Sequence, residues 1–158
     1  MSASEILIRE ADLADPAQAS ALVEILDAYA REPNGQSAPI PLEARANLAA
    51  GLRAHPAAFV LLAWDAGRAV GAAVCFVGFS TFAGRPLVNL HDLAVLPDQR
   101  GRGIGSQLLA EVERRARALG ACKVTLEVHD TNQGAKRLYA EIGFGPWRSP
   151  TLFVSKPL

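Results

Sequence analysis

The segment LAVLPDQRGRGIGSQLL, residues 93–109, is the most informative part of the sequence. It begins as an apolar strand, is interrupted at Pro97, and passes through a glycine-rich loop into a helix with apolar residues every three or four positions. Unpaired N–H groups and the helix dipole at such a start favour an anion, and glycine lets a phosphate approach the backbone. The segment therefore predicts an anion-binding strand–loop–helix unit.

The loop does not match two common phosphate-binding motifs. The P-loop pattern fails because no lysine follows Gly105, and the dinucleotide pattern G-x-G-x-x-G lacks its last glycine in either register. What remains is R-x-x-G-x-G on Arg100, Gly103 and Gly105, and we expect Arg100 and Arg102 to add positive charge. The loop taken alone is also consistent with a tight strand-to-helix turn carrying solvated arginines.

Hydrophobic periodicity predicts the elements on both sides of this loop. The order β-α-α-β-β-β-α-β-α-β indicates an α/β fold with a central mixed sheet flanked by helices, because the strand–helix–strand unit after the loop implies parallel pairing. The predicted strands are 5–10, 58–64, 69–79, 87–95, 123–128 and 151–155, and the predicted helices are 16–31, 42–54, 106–119 and the segment between Asn132 and Gly143.

Composition limits the functional classes. The 158 residues predict one domain, residues 1–158, and the 16 basic and 16 acidic side chains exclude a bulk polybasic nucleic-acid binder. Residues 1–87 carry 6 basic and 9 acidic side chains, whereas residues 88–158 carry 10 and 7. An anionic ligand is therefore expected in the second half.

Neither a targeting segment nor a membrane span is predicted. The start MSASEILIRE lacks a basic and an apolar region, and the longest apolar run, Ala69 to Phe79, is far below the ~20 residues of a spanning helix. Cys75 and Cys122 have no metal-ligand spacing. We expect free thiols, no metal and a cytoplasmic protein.

A second segment, LEVHDTNQGAKRLYAEIGF at residues 126–144, completes a resemblance to the GNAT superfamily of acetyl-CoA-dependent N-acetyltransferases. The first segment resembles its R/Q-x-x-G-x-G/A motif, and the second its strand, Asn and Tyr-bearing helix. The segment STFAGRPLVNLHDLAV, residues 80–95, is more loosely similar to the polyamine and diamine branch. The resemblance implies acetyl-CoA as donor, bound where strands 87–95 and 123–128 splay apart.

The resemblance also implies which residues hold acetyl-CoA. Backbone groups of one strand would bind the acetyl carbonyl and pantetheine, the glycine loop would bind the pyrophosphate, and the second helix would line the cofactor. These residues are Leu93, Ala94 and Val95; Arg100, Gly101, Arg102, Gly103, Ile104, Gly105 and Ser106; and Asn132, Ala135 and Lys136.

Tyr139 is the predicted general acid. It follows Asn132 by seven residues, where the family's tyrosine lies, and its phenol can donate a proton to a leaving thiolate. Periodicity alone favours a core aromatic, because Tyr139 shares an apolar stripe with Leu138 and Ile142. The resemblance changes that interpretation to a functional one.

The general base is not settled by the sequence. His91 carries an imidazole, a side chain that often serves as a general base. Asp92 is acidic, and Glu127 is predicted to be an unusual mid-strand carboxylate. His129 and Asp130 are also available, although turn chemistry explains both. In the polyamine-type relatives a Glu commonly occupies the position of His91, so this departure argues against polyamine specificity, although Asp92 is acidic and could take over that role.

These observations predict an enzyme that transfers acetyl directly to a primary amine of a small molecule. The family places the acceptor site around residues 27–45, with Tyr29, Glu32 and Asn34. The alternatives are another acyl group, acetylation of a protein N-terminus or lysine, and a non-enzymatic acetyl-CoA sensor. A homodimer is an expectation from the resemblance alone.

Overall fold

The structure is a computed structural model that describes residues 5–145 and 154–158. Within these ranges, five strands and four helices follow one another in the predicted order, up to the helix that precedes Gly143. They are β1 (Leu7–Glu10), α1 (Pro16–Ala30), α2 (Leu42–Ala54), β2 (Ala58–Asp65), β3 (Arg68–Ser80), β4 (Arg85–Val95), α3 (Ile104–Ala118), β5 (Val124–Leu126) and α4 (Gln133–Ile142), with a short 3-10 helix at Pro97–Gln99.

The sheet has the order β1-β2-β3-β4-β5. The first four strands pair antiparallel in sequence order, and β5 joins β4 in parallel. Ala66 and Gly67 turn the chain between β2 and β3 with φ angles of 47° and 85°, the left-handed geometry of a tight hairpin. The predicted mixed α/β fold is therefore confirmed.

The sheet is buried on both faces. Leu61 and Ala63 of β2 pack toward α3 and α4, whereas the neighbouring Val60 and Leu62 pack toward α1. Burial on both sides explains why the β3 sequence reads as one apolar run instead of an alternating pattern. At Gly71 an added Cβ would lie 3.2 Å from the Ile104 side chain, so this glycine allows α3 to pack closely on the sheet.

Strands β4 and β5 pair over three residues only. The parallel register joins Val88 to Val124 and Leu90 to Leu126. Strand β4 then continues to Val95, paired with β3 but no longer with β5. Beyond Leu90 the edge of β4 that faces β5 therefore has no strand partner among the described residues. The gap between β4 and β5 opens after Leu90, and the glycine loop follows the end of β4. This is the splayed arrangement that the resemblance implies.

Most predicted boundaries lie within two residues of the observed ones, and three differences have consequences for the predictions. Strand β5 ends at Leu126, short of the predicted 128, so Glu127 lies just beyond the strand instead of within it. Helix α3 begins at Ile104, two residues earlier than predicted, because Gly103 adopts φ 75° and serves as the N-cap. Of the predicted last strand, residues 151–153 lie outside the described residues, and Val154 and Ser155 are not in a strand.

None of the helices within the described ranges has the length and apolar character of a bilayer-spanning segment.

Candidate active site

The glycine loop between β4 and α3 has the geometry of an anion cradle. Gly101 and Gly103 have φ angles of 76° and 75°, which side chains rarely adopt. The first intrahelical bond of α3 runs from the N–H of Gln107 to the carbonyl of Gly103, at 3.1 Å. The preceding N–H groups, of Ile104, Gly105 and Ser106, therefore lack an intrahelical acceptor and carry the positive end of the helix dipole.

Space is open beside two glycines of the loop. A Cβ built on Gly101 or Gly103 would meet no described atom within 4 Å. Packing does not require glycine at either position, whereas the backbone conformation favours it. The side chain of Ile104 is buried in the core, so this residue has only its backbone N–H to offer. The role of this loop in binding the pyrophosphate of acetyl-CoA stays a prediction.

The two loop arginines are engaged with carboxylates. Arg100 donates from Nε to the Val95 carbonyl at 3.0 Å and from its guanidinium to Glu32 at 3.1 Å. Arg102 pairs with Asp65 at 2.6 Å and also contacts Gln99. Their predicted role in binding an anion stays a prediction, and in this structure Arg100 connects β4 to the end of α1.

The free edge of β4 presents backbone groups of two residues to the gap. The N–H of Leu96 donates to the Val70 carbonyl at 2.9 Å, so Leu96 faces β3. Ala94, two residues earlier and opposite Ala72, faces β3 as well, because backbone direction alternates along a strand. Leu93 and Val95 therefore direct their backbone groups into the gap, while the Ala94 groups are used within the sheet.

A bulge at His91 determines where the candidate bases point. Leu90 pairs with Cys75 and Asp92 with Val74, which leaves His91 as an extra residue in β4. Leu90 and Leu93 consequently pack on the same side of the sheet, toward α3. His91, exposed against the Phe76 ring at 5.4 Å, and Asp92 both point to the opposite side, toward α1.

Asp92 lines a cavity of about 410 Å³ beside the gap. Helices α1 and α2 and the loop between them form most of the wall, and β4 and the segment after β5 complete it. The lining residues are Leu26, Tyr29, Ala30, Asn34, Gly35, Gln36, Ile40, Pro41, Ala44, Leu48, Asp92 and His129. The structure thus brings predicted Tyr29, Asn34, Asp92 and His129 together.

The electrostatics of the site centre on Asp92. Burial raises the pKa of its carboxyl above the ordinary value, and the nearby His91 partly opposes this by favouring the charged form. Burial, and then the charge of Asp92, raises the pKa of Tyr29 and brings that of Cys75 to about 12. A carboxyl with a raised pKa is better suited to accept a proton near neutral pH.

Tyr139 is buried on α4, with 7% of its surface exposed. Its ring packs edge-on against Phe144 at 5.7 Å between centroids. Burial, and then the Tyr29 phenol, raises the pKa of Tyr139 to about 12. Tyr139 is therefore fully protonated at neutral pH and electrostatically linked to a residue that lines the cavity.

The remaining predicted residues lie around α4 and beyond β5. Asn132 caps α4 by accepting from the Ala135 N–H at 3.1 Å, and Lys136 pairs with Asp130 at 2.6 Å. Glu127 is exposed and does not line the cavity. The structure therefore favours Asp92 over Glu127 as the candidate base.

A family model described as the acetyltransferase (GNAT) family matches residues 19–144. The chain belongs to this family. GNAT acetyltransferases act on amine acceptors, with acetyl-CoA as the donor. In the described part of this GNAT chain, no group of three or more His, Cys, Asp or Glu side chains is arranged to hold a metal ion.

Named relatives of this GNAT chain have different acceptors. It is 36% identical over 83 residues to N-alpha-acetyltransferase MAK3 of Arabidopsis thaliana and 36% identical over 74 residues to thialysine N-epsilon-acetyltransferase of Bos taurus. These matches cover 52% and 47% of this chain, and 43% of the length of each relative. They agree on N-acetyl transfer and leave the acceptor open.

The fold extends across nearly the whole chain. The crystal structure of ribosomal-protein-alanine N-acetyltransferase from Brucella melitensis biovar Abortus 2308 superimposes with a TM-score of 0.75, at 21% identity. The alignment covers 96% of this chain and 100% of that one. It supports the GNAT fold.

One feature of this GNAT site was missed by the sequence analysis, namely the anchor of the loop between α1 and α2. Asp27, 7% exposed, accepts from the Ile40 N–H at 2.8 Å and pairs with Arg31 and Arg45 at 2.9 and 3.0 Å. Its pKa is lowered, first by the hydrogen bond from Arg31 and then by that from Ile40. The i,i+4 spacing of Asp27 and Arg31 was the available signal.

Proposed function

We propose that this protein transfers the acetyl group of acetyl-CoA directly to a primary amine of a small molecule, with Asp92 as the general base. The observation that carries the proposal is the position of Asp92. Its half-buried carboxyl lines the cavity formed by α1, α2 and their connecting loop, at the strand edge where the donor gap opens.

When bound, acetyl-CoA supplies a thioester whose carbonyl carbon the amine attacks and whose sulfur leaves. The chain must first make the amine nucleophilic, since deprotonating an alkylamine of pKa ~10 at pH 7 costs about 4 kcal/mol. Asp92 accepts that proton, directly or through one water, and releases it to solvent. The N–C bond then forms and the C–S bond breaks.

Two other groups of the chain complete the proposed mechanism. The Leu93 or Val95 N–H, directed into the gap, donates to the carbonyl oxygen as negative charge develops there. Tyr139, fully protonated at neutral pH, donates its O–H to the departing sulfur and regains a proton from solvent. Donor binding falls to the glycine loop and to α4, with Asn132, Ala135 and Lys136.

Direct transfer is favoured over a covalent acyl-enzyme. Burial brings the pKa of the Cys75 thiol to about 12, which leaves almost no thiolate at neutral pH. Both Cys75 and Cys122 are free thiols, and this supports the extension of the proposal to a reducing, cytoplasmic setting.

The cavity wall supports a small acceptor. The loop from Arg31 to Pro41 folds back on α1, with the Gln36 N–H donating to the Ala30 carbonyl at 2.9 Å, and Ile40 is held by Asp27. A peptide needs an open groove at this place. Acetylation of a protein N-terminus, as named for the Arabidopsis relative, is the competing outcome of the test below.

The test is release of free thiol from acetyl-CoA, measured at pH 7 to 9 with a panel of small amines and short peptides. We expect amine-dependent release, and a fall of ~10²–10⁴-fold in Asp92→Asn with acetyl-CoA affinity retained. Asp98→Asn, an exposed carboxylate paired with Arg68, is the control and should keep full activity. Preference for peptides would contradict a small acceptor, and acetyl-CoA binding without turnover would indicate a sensor.

A further inference from the structure

The wall of the acceptor cavity is mainly apolar. Each of its three helical and loop segments contributes aliphatic surface, and among the described residues the uncharged polar side chains of the lining are the Tyr29 hydroxyl and the Asn34 and Gln36 amides, with the His129 imidazole beside them. The aliphatic lining residues are Leu26, Ala30, Ile40, Pro41, Ala44 and Leu48. Such a wall stabilises a hydrocarbon body of the acceptor.

The cavity presents one carboxylate among its described lining residues. Among the described lining residues, Asp92 is the single acidic side chain and no lysine or arginine is present. Two nearby carboxylates are engaged elsewhere. Asp27 pairs with Arg31 and Arg45, and Glu32 pairs with Arg100.

We propose that the acceptor is a primary monoamine with an apolar body, which carries one ammonium group and no carboxylate. This inference rests on the function proposed above and names the acceptor class of the same site. The ammonium meets Asp92 and gives it a proton, while the aliphatic wall holds the rest of the molecule. The products are the N-acetylated amine and free coenzyme A.

Electrostatics determine what the cavity rejects. A diamine or polyamine would place a second ammonium against apolar surface, with no second carboxylate among the described lining residues. An amino acid would place its carboxylate in the same wall, where the described lining has no lysine or arginine and where the like charge of Asp92 is nearby. An unpaired charged or polar group in such surroundings is strongly disfavoured. The cavity therefore discriminates by rejecting these acceptors, and not by binding the preferred amine more tightly.

The test uses pairs of amines that differ by one charged group. Hexylamine is compared with 1,6-diaminohexane, and phenethylamine with phenylalanine, by thiol release from acetyl-CoA at one pH. We expect kcat/KM to be at least about tenfold higher for the first member of each pair, which corresponds to the lower range of the penalty for an unpaired polar group.

A gain-of-function variant tests the cause. Ala44, on the exposed surface of α2 at the cavity, is replaced by glutamate, which adds a second carboxylate to the wall. We expect Ala44→Glu to raise the kcat/KM ratio of 1,6-diaminohexane to hexylamine by about tenfold. Ala46→Glu, also exposed on α2 but outside the lining, is the matched control and should leave the ratio unchanged.

The outcomes separate this inference from the function on which it rests. Faster turnover of 1,6-diaminohexane or phenylalanine than of its partner overturns the monoamine class and leaves N-acetyl transfer intact. An equal rise of the ratio in Ala44→Glu and Ala46→Glu contradicts the role of the cavity wall. Absence of turnover with every amine, despite binding of acetyl-CoA, contradicts the proposed function itself.

Discussion

One extra residue in β4 decides which side chain enters the acceptor cavity. Because His91 bulges out of the ladder with β3, Asp92 lies on the α1 side of the sheet while Leu93 returns to the α3 side. Without the bulge, strict alternation from Leu90 would turn Asp92 toward the apolar core around α3. The chemistry of the site therefore depends on a backbone irregularity as much as on residue type.

Burial raises the pKa of Asp92, and His91 moderates that increase. Since His91 lowers the pKa of Asp92, its replacement by neutral glutamine raises that pKa, and the basic form of Asp92 appears only at higher pH. We expect His91→Gln to move the acidic limb of the kcat/KM profile to higher pH, as measured by thiol release. His55→Gln, which removes the other imidazole against Phe76, should leave the profile in place. An unmoved limb in His91→Gln would contradict the coupling.

Tyr139 is predicted to act as a proton donor besides filling the core. Tyr139→Phe keeps the ring and its contact with Phe144, so the fold should be preserved. We expect turnover to fall by ~10²–10⁴-fold, with acetyl-CoA affinity unchanged. The measurements are kcat and a binding titration. Unchanged turnover would assign Tyr139 a packing role only.

The loop between α1 and α2 is the element that shapes the acceptor cavity, and Gly35 is its tightest point. A Cβ at Gly35 would lie 2.3 Å from the Tyr29 carbonyl oxygen, so the backbone must shift to accept it. We expect Gly35→Ala to lower stability by ~1–3 kcal/mol in urea unfolding and to raise the amine KM.

Gly51→Ala is the matched control for that substitution. Gly51 lies inside α2, and an added Cβ there would meet nothing within 4 Å. The change should stabilise the helix by roughly 0.5–1 kcal/mol and leave the amine KM unaltered. Equal stability changes in the two variants would contradict the packing argument at Gly35.

The elements were predictable from the sequence to different degrees. The strands β2, β3 and β4 follow from continuous apolar runs separated by turn residues, and α3 from the periodicity after the glycine loop. The partners of Arg100 were not predictable, because Glu32 is 68 positions away and no local pattern connects them. The bulge left only a weak trace, an acidic residue at a position that strict alternation from Leu90 assigns to the apolar side.

At the scale of the whole molecule, donor binding should appear as added stability. A ligand that binds only the folded state at 100 times its dissociation constant adds ~2.7 kcal/mol, which for a chain of this size raises Tm by roughly 5–10 °C. We expect acetyl-CoA to produce such an increase. Gly103→Asp, which puts a negative charge into the anion cradle, should abolish it.

Gly84→Asp is the control for that loss. Gly84 has a comparable left-handed φ of 62° and open space for a side chain, but it lies in the turn between β3 and β4. Both variants carry the same backbone strain, so their Tm values without ligand should fall together. A full acetyl-CoA response in Gly103→Asp would show that the cofactor phosphates bind elsewhere.

The connection of Arg100 to Glu32 has a consequence for exchanging parts between related enzymes. Residues 16–54 build most of the wall of the proposed acceptor cavity, whereas the proposed donor loop comes from the second half of the chain. A segment transplanted from a relative with another substrate could therefore redirect the enzyme without rebuilding its donor site. Glu32 must be kept in such a graft. Its carboxylate accepts hydrogen bonds from the Arg100 guanidinium, which also donates to the Val95 carbonyl.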